Sequence, residues 1–153
     1  MTPAVATALI DVARLMRVAP RPWWIIGSGA VALHGAPAGE VYDIDVLVGR
    51  VDIATVMASA GIHAQVMPPD PLFRSEVFAS WQRSVLPVEL MAGFAVFSGG
   101  GWWPVRPLSR EAITLGGETL FVPDRGELVG LLRRIGRPKD LRRAAALEGR
   151  EPG

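Results

Sequence analysis

The chain predicts an α/β fold, a mixed β-sheet with helices packed against it. Two observations carry that prediction. Apolar residues recur at helical spacing in some stretches and alternate or cluster over strand length in others, with glycine or proline at the changeovers. Residues 23–48, WWIIGSGAVALHGAPAGEVYDIDVLV, read as strand, tight turn, short helix and second strand, and the other elements are arranged around this unit.

Taken in order, Val5, Leu9, Val12, Leu15 and Met16 predict a helix over residues 3–18 with one wet face. Pro20 and Pro22 end it and launch a strand at 23–26. Gly27 and Ser28 form the turn, a short apolar helix runs over 29–35, and the next strand carries Asp43, Ile44 and Asp45 through to Val48. Gly49 and Arg50 make a break, after which Asp52 caps a helix closed by Gly61. Residues 63–67 read as a strand, and Pro68, Pro69, Asp70 and Pro71 as a rigid loop. Residues 73–81 suit a strand or a short extended segment, with a helix as the alternative. Residues 86–91 form a strand carrying Glu89. SGGGWWP reads as a loop that packs its aromatic rings, and 112–122, with Gly116 and Gly117 at its middle, as a hairpin. Two helices finish the chain, 124–135 and 138–147, the second with Pro138 in its first turn. The strands joined through the helix after Ser28 are expected to be parallel or mixed. No internal repeat appears, and residues 1–150 are expected to form one domain.

A chain of 153 residues is long enough to bury a real core. Half its residues are hydrophobic and a fifth charged, a globular composition. The lack of cysteine excludes disulfides and thiolate metal sites and agrees with a cytoplasmic location. The first residues do not resemble a signal peptide, and the longest apolar run, 23–33, is too short to span a bilayer. A soluble protein with no membrane partner is expected. A net charge of +1 offers no global field for nonspecific nucleic-acid binding. The C-terminal segment is the exception, with Arg133, Arg134, Arg137, Lys139, Arg142, Arg143 and Arg150 outnumbering Asp140, Glu148 and Glu151. Such a run is ordinarily a solvated helix face, yet it is the best place for RNA or another polyanionic partner.

The chemistry starts at Asp43 and Asp45. Side chains two apart on a strand share a face, so the two carboxylates project together while Ile44 turns into the core. Neighbouring carboxylates repel unless a cation sits between them. Oxygen ligands of this kind suit Mg²⁺ or Mn²⁺. The turn at Gly27 and Ser28 offers backbone N–H groups and a hydroxyl suited to a phosphate; Ser28 read by itself is only a helix cap. A phosphoryl site with two metal ions needs a third carboxylate from a neighbouring strand, and Glu89, in the apolar VEL, is the leading choice over Asp52, Asp70 and Glu76. Arg74 and Ser75 in FRSEVF read equally as phosphate or acceptor contacts and as an exposed strand face. His34 reads as structural, and Trp102 and Trp103 as packing residues rather than base-stacking platforms.

G-S, a short helix and then D-x-D on the next strand resemble the signature of the nucleotidyltransferase superfamily whose best-known member is DNA polymerase beta. The wording of GSGAVALHG and DIDVLV is most similar to small bacterial members related to abortive-infection toxins and small-molecule nucleotidyltransferases; VEL at Glu89 and GRPKDL near the C-terminus extend the resemblance more loosely. The resemblance implies a nucleotidyltransferase-like fold and transfer of a nucleoside monophosphate from a nucleoside triphosphate to a hydroxyl acceptor: RNA, a protein or a small molecule, in one setting within a toxin–antitoxin pair. It implies that Asp43, Asp45 and Glu89 hold Mg²⁺ (or Mn²⁺), that Gly27 and Ser28 grip the β and γ phosphates, and that Glu89 takes the acceptor proton. Lys139 and Asp140 are similar to the K-D of small members, as a nucleotide contact or as a pair fixing the last helix. Two features depart from the pattern. Glu40, Val41 and Tyr42 stand where small-molecule members often place an arginine and a threonine or histidine. Leu132, Arg133 and Arg134 stand where toxin-like members have a lysine. With no further substrate-binding domain in the chain, the acceptor would be met by loops, by a second subunit of a homodimer or by a partner protein. The alternative is an inactive relative that keeps the fold as a nucleotide-binding or protein-interaction module.

Overall fold

The computed structural model describes residues 1–149, so Arg150 and Glu151 of the charged C-terminal run lie outside the described residues. Helix α1 (Pro3–Leu15) starts where the Thr2 hydroxyl accepts from the Val5 amide, and buries Val5, Leu9 and Val12 along one side. Strand β1 (Trp24–Ile26) runs directly into α2 (Gly27–Leu33), and the chain returns as β2 (Ile44–Leu47). Then come α3 (Ile53–Ala60), β3 (Phe73–Arg74), β4 (Val77–Trp81), β5 (Val88–Ala92), β6 (Ala95–Ser98) and β7 (Gly101–Pro104). The β8 (Glu111–Leu115) and β9 (Glu118–Val122) hairpin and helices α4 (Arg125–Ile135) and α5 (Pro138–Leu147) complete the chain.

The main sheet is mixed, in the order β1-β2-β5-β4. β1 and β2, the strands joined through α2, are antiparallel; the parallel pair is β2 with β5, and β4 closes the sheet antiparallel to β5. Alternation along these strands divides the molecule. Ile25, Ile44, Val46, Val88 and Leu90 point to one face, where they meet α1, α2, α4 and α5 in the larger core. Burying each such side chain is worth about 1.5–3 kcal/mol. The opposite face carries Ile26, Asp45, Leu47, Glu89 and Met91. A second, three-stranded sheet, β3-β6-β7, covers part of it together with α4, through Phe94, Val96 and Val105 on the sheet side and Leu131 on the helix, and the acids lie at its uncovered end.

Three segments differ from the expectation. Residues 63–67 form no strand: Val66 is 98% exposed, and the stretch touches β4 through the Gln65 amide, which donates to the Phe78 carbonyl. The prolines that follow carry no N–H to extend a ladder. Residues 73–81 form two short strands in different sheets, with Ser75 and Glu76 at the crossover. SGGGWWP is not a loop but the turn and second strand of a hairpin, in which Trp102 and Trp103 pair with Phe97 and Val96; its glycines supply the turn, and the aromatic residues supply strand propensity. The 111–122 hairpin and both final helices stand where expected. Asp124 caps α4 by accepting from the Glu127 amide. Arg125 donates to the Leu147 and His34 carbonyls at 2.6 and 2.8 Å, bridging the ends of α5 and α2. Among the described residues no helix is long and apolar enough to cross a membrane.

Candidate functional site

The site follows from register. Asp45 on β2 lies beside Glu89 on β5 on one side and Ile26 on β1 on the other. Asp43, two residues earlier, projects on the same side of the chain. One carboxylate oxygen from each of Asp43, Asp45 and Glu89 lies within 4.8 Å of the others. All three are half-buried, and none forms an ion pair among the described residues.

Their electrostatics express the crowding. Burial first, then the Asp43 and Glu89 charges and a hydrogen bond with Glu89, push Asp45 well above the usual carboxylate range. Burial and Asp43 raise Glu89, while the Asp45 hydrogen bond lowers it. Burial also raises Asp43, opposed by Lys139, Arg143 and Arg137. An all-oxygen cluster that the protein leaves short of positive charge fits a hard divalent cation such as Mg²⁺ or Mn²⁺.

The acids line a cavity of about 230 Å³ whose walls include Gly27, Ser28, Ser75, Met67 and Lys139. Seven of the eight sequence-identified residues, Gly27, Ser28, Asp43, Asp45, Ser75, Glu89 and Lys139, thus meet in one cavity. The eighth, Arg74, lies on an adjoining cavity, its guanidinium 4.4 Å from the Trp102 ring centroid. Gly27 has φ +66°, and a Cβ there would come within 3.0 Å of Asp45 Oδ2, so glycine is what lets the turn pass this carboxylate. The turn is itself the first turn of α2, which begins two residues before the expected start. Ser28 does not cap the helix, since Ile26 holds that position.

The basic C-terminal segment contributes more than a solvated face. Asp140, 1% exposed, accepts from the Arg137 amide, Nε and Nη2 and so fixes the start of α5. Arg143 donates to the Ala38 and Glu40 carbonyls, holding the chain before Asp43. In the sequence Arg137 and Arg143 stood out only as members of the basic run, not as neighbours of the acids; the available signal was the i, i+4 spacing of Lys139 and Arg143, which aligns them on one helix face. The cavity mouth continues into a groove of about 650 Å³ lined by Tyr42, Lys139, Arg142 and Arg143, with Tyr42 72% exposed. Glu40 lines both spaces. Arg133 is paired with Glu148 and Arg134 lies over Trp103, away from the acids. His34 is structural, its Nε2–H donating to the Pro123 carbonyl at 2.8 Å. Asp52 holds the cap position of α3, but its carboxylate turns instead to the Arg21 amide and guanidinium.

No protein-family profile matches the chain, and no curated protein matches it. Solved structures do. A Thermotoga maritima protein assigned to the nucleotidyltransferases superposes with a TM-score of 0.68 at 19% identity, over 84% of this chain and 83% of that one. The fold is that of the nucleotidyltransferases. The lincosamide antibiotic adenylyltransferase LnuA, solved with lincomycin bound, matches over 97% of both chains at 15% identity, with a TM-score of 0.58. The antibiotic-resistance factor ANT(2'')-Ia matches over 95% of this chain and 84% of its own at 12% identity, with a TM-score of 0.57.

Proposed function

We propose that the protein is a nucleotidyltransferase that moves a nucleoside monophosphate from a nucleoside triphosphate to a hydroxyl acceptor. The observation that carries this reading is the convergence of Asp43, Asp45 and Glu89 within 4.8 Å in a cavity that also contains Gly27 and Ser28. Asp43, Asp45 and Glu89 would hold Mg²⁺ or Mn²⁺, which when bound offsets the negative charge of the phosphates and of the transition state. The Gly27–Ser28 turn receives the β and γ phosphates. Lys139 and Arg143 add positive charge on the α5 side, where the exposed Tyr42 ring offers a surface for the base. Glu89, beside Asp45 and half-exposed to the cavity, accepts the acceptor proton. The acceptor oxygen then bonds to the α-phosphorus as the bond to the bridging oxygen breaks and pyrophosphate departs. Position and charge, not covalent chemistry by a side chain, supply the acceleration.

The test is direct. Purified protein is mixed with each radiolabelled triphosphate and Mg²⁺, with thermal stability measured in parallel and a cell extract supplying acceptors. Binding, followed by label transfer that Asp45→Asn removes, is expected. A protein that no triphosphate stabilises is not a transferase. Glu40 at the cavity mouth, a negative charge facing incoming phosphates, favours the second reading, an inactive nucleotide-binding or protein-interaction module; binding without transfer to any acceptor identifies it. A place in a toxin–antitoxin pair is a finer form of the first reading, checked by whether Asp45→Asn relieves growth arrest on expression.

A further inference from the structure

On the same face of the main sheet lies a second and larger cavity, of about 730 Å³, a size typical of small-molecule sites. Trp24, Leu47 and Met91 on its floor form the row of the sheet next to Ile26, Asp45 and Glu89, two residues or about 7 Å along the strands. Ser75, Met91 and Phe94 line both cavities and form the ridge between them.

Its charge is opposite to that of the acid cavity. Arg50, Arg74 and Arg106 stand around it with one acid, Glu76. Glu76 pairs with Arg50, leaving Arg74 and Arg106 without an ion pair among the described residues. The Arg74 guanidinium lies over the Trp102 ring; such a contact orients the group and leaves its N–H donors free to reach an anion. On the ridge, Ser75 Oγ is buried without a hydrogen-bond partner. Native proteins rarely leave a buried hydroxyl so, and a ligand or water ordinarily completes it.

We propose that this cavity seats the acceptor, and that the acceptor is a small hydroxylated molecule with an apolar body and an anionic group. This rests on the transferase reading above. Its hydroxyl lies at Ser75, facing the acids. Its body lies against Trp24, Leu47 and Phe94, and its anion meets Arg74 and Arg106. The nucleotide and the acceptor then approach the carboxylates from opposite sides, α5 on one and the β3-β6-β7 sheet on the other. The hydroxyl oxygen bonds to the α-phosphorus of the triphosphate, the bond to the bridging oxygen breaks with its electron pair leaving on pyrophosphate, and the hydroxyl proton passes to Glu89 and on to water.

Two probes that share a phenol and differ in charge test the class: 4-hydroxyphenylacetate and tyramine. Each is titrated into the full chain with and without ATP and Mg²⁺, following the Trp24 indole N–H and the Ser28 amide by NMR. The carboxylate is expected to shift Trp24 and to bind at least tenfold more tightly than the amine, and Arg74→Gln with Arg106→Gln, both exposed positions, to remove that preference. Equal binding of the two probes, or a shift at Ser28 in place of Trp24, overturns the inference. If ATP stabilises the protein while neither probe moves Trp24, the acceptor class falls and the transferase reading stands. If 4-hydroxyphenylacetate binds but no triphosphate does, the acceptor role falls together with that reading.

Discussion

The protein buries carboxylates in two ways. Asp140 and Asp52 are 1% and 3% exposed, and each is met by an arginine and a backbone amide: Arg137 for the first, Arg21 for the second. Asp43, Asp45 and Glu89 are less deeply buried, yet they face one another without an ion pair among the described residues. Pairing within the chain makes an acid a piece of architecture, because its charge is already balanced when the protein folds. Crowding like charges does the opposite, storing unfavourable energy that only a cation from outside relieves. The depth of an acid is therefore a poorer guide to its role than the sign of its neighbours.

Substitutions separate the two groups. The largest effect is expected from Asp45→Asn, which removes a cation ligand and should lower nucleotidyl transfer by about 10³-fold or more. The same change should leave the cation-free protein as stable as before or more so, because the neutral amide stands in for the protonated acid; thermal melting checks this. Asp140→Ala should do the reverse, destabilising the fold by about 3 kcal/mol in denaturant titration, since it strands Arg137 and the start of α5. Asp52→Ala is expected to cost about 1–2 kcal/mol, less because Arg21 is largely exposed and keeps its hydration.

The smallest effect is in the pH dependence. The folded protein raises Asp43, Asp45 and Glu89 above their unfolded values. Their contribution to stability is thus fully present below the ordinary carboxylate range and is lost as pH rises through the higher folded values. Without divalent cation, the melting temperature should fall as pH rises above the ordinary carboxylate range of about 4. Saturating Mg²⁺ or Mn²⁺ should flatten the decline, and in Asp45→Asn it should be shallower from the start. A melting temperature that rises over this interval would show that the three acids are not in conflict.

The acid cluster was legible in the sequence because its signals are local. Strand alternation puts Asp43 and Asp45 on one side, and the glycine-serine turn and VEL announce their partners within short apolar runs. The β3-β6-β7 sheet was not legible, because its evidence is spread over distant pairings. β3 is two residues long, β6 follows β5 after a bend at Gly93, and the three glycines before Trp102 read as loop although they only turn a hairpin. Residues 63–67 failed for the converse reason: their strand-like residues reach β4 through the Gln65 amide but build no ladder with it. Asp52 sits at the expected helix start, yet Arg21, 31 positions earlier, draws its carboxylate away, a competition that no short window contains. Arg74 and Ser75 were placed together as neighbours in sequence, but after the crossover between sheets Arg74 lines only the larger cavity while Ser75 lines both.

One guanidinium has consequences for motion. By holding the Leu147 carbonyl at the end of α5 and the His34 carbonyl at the end of α2 at once, Arg125 rivets two helices to the beginning of a third. Across the 230 Å³ around the acids, Met67 stands on a span tied to β4 by the Gln65 amide, so the two sides are braced to very different degrees.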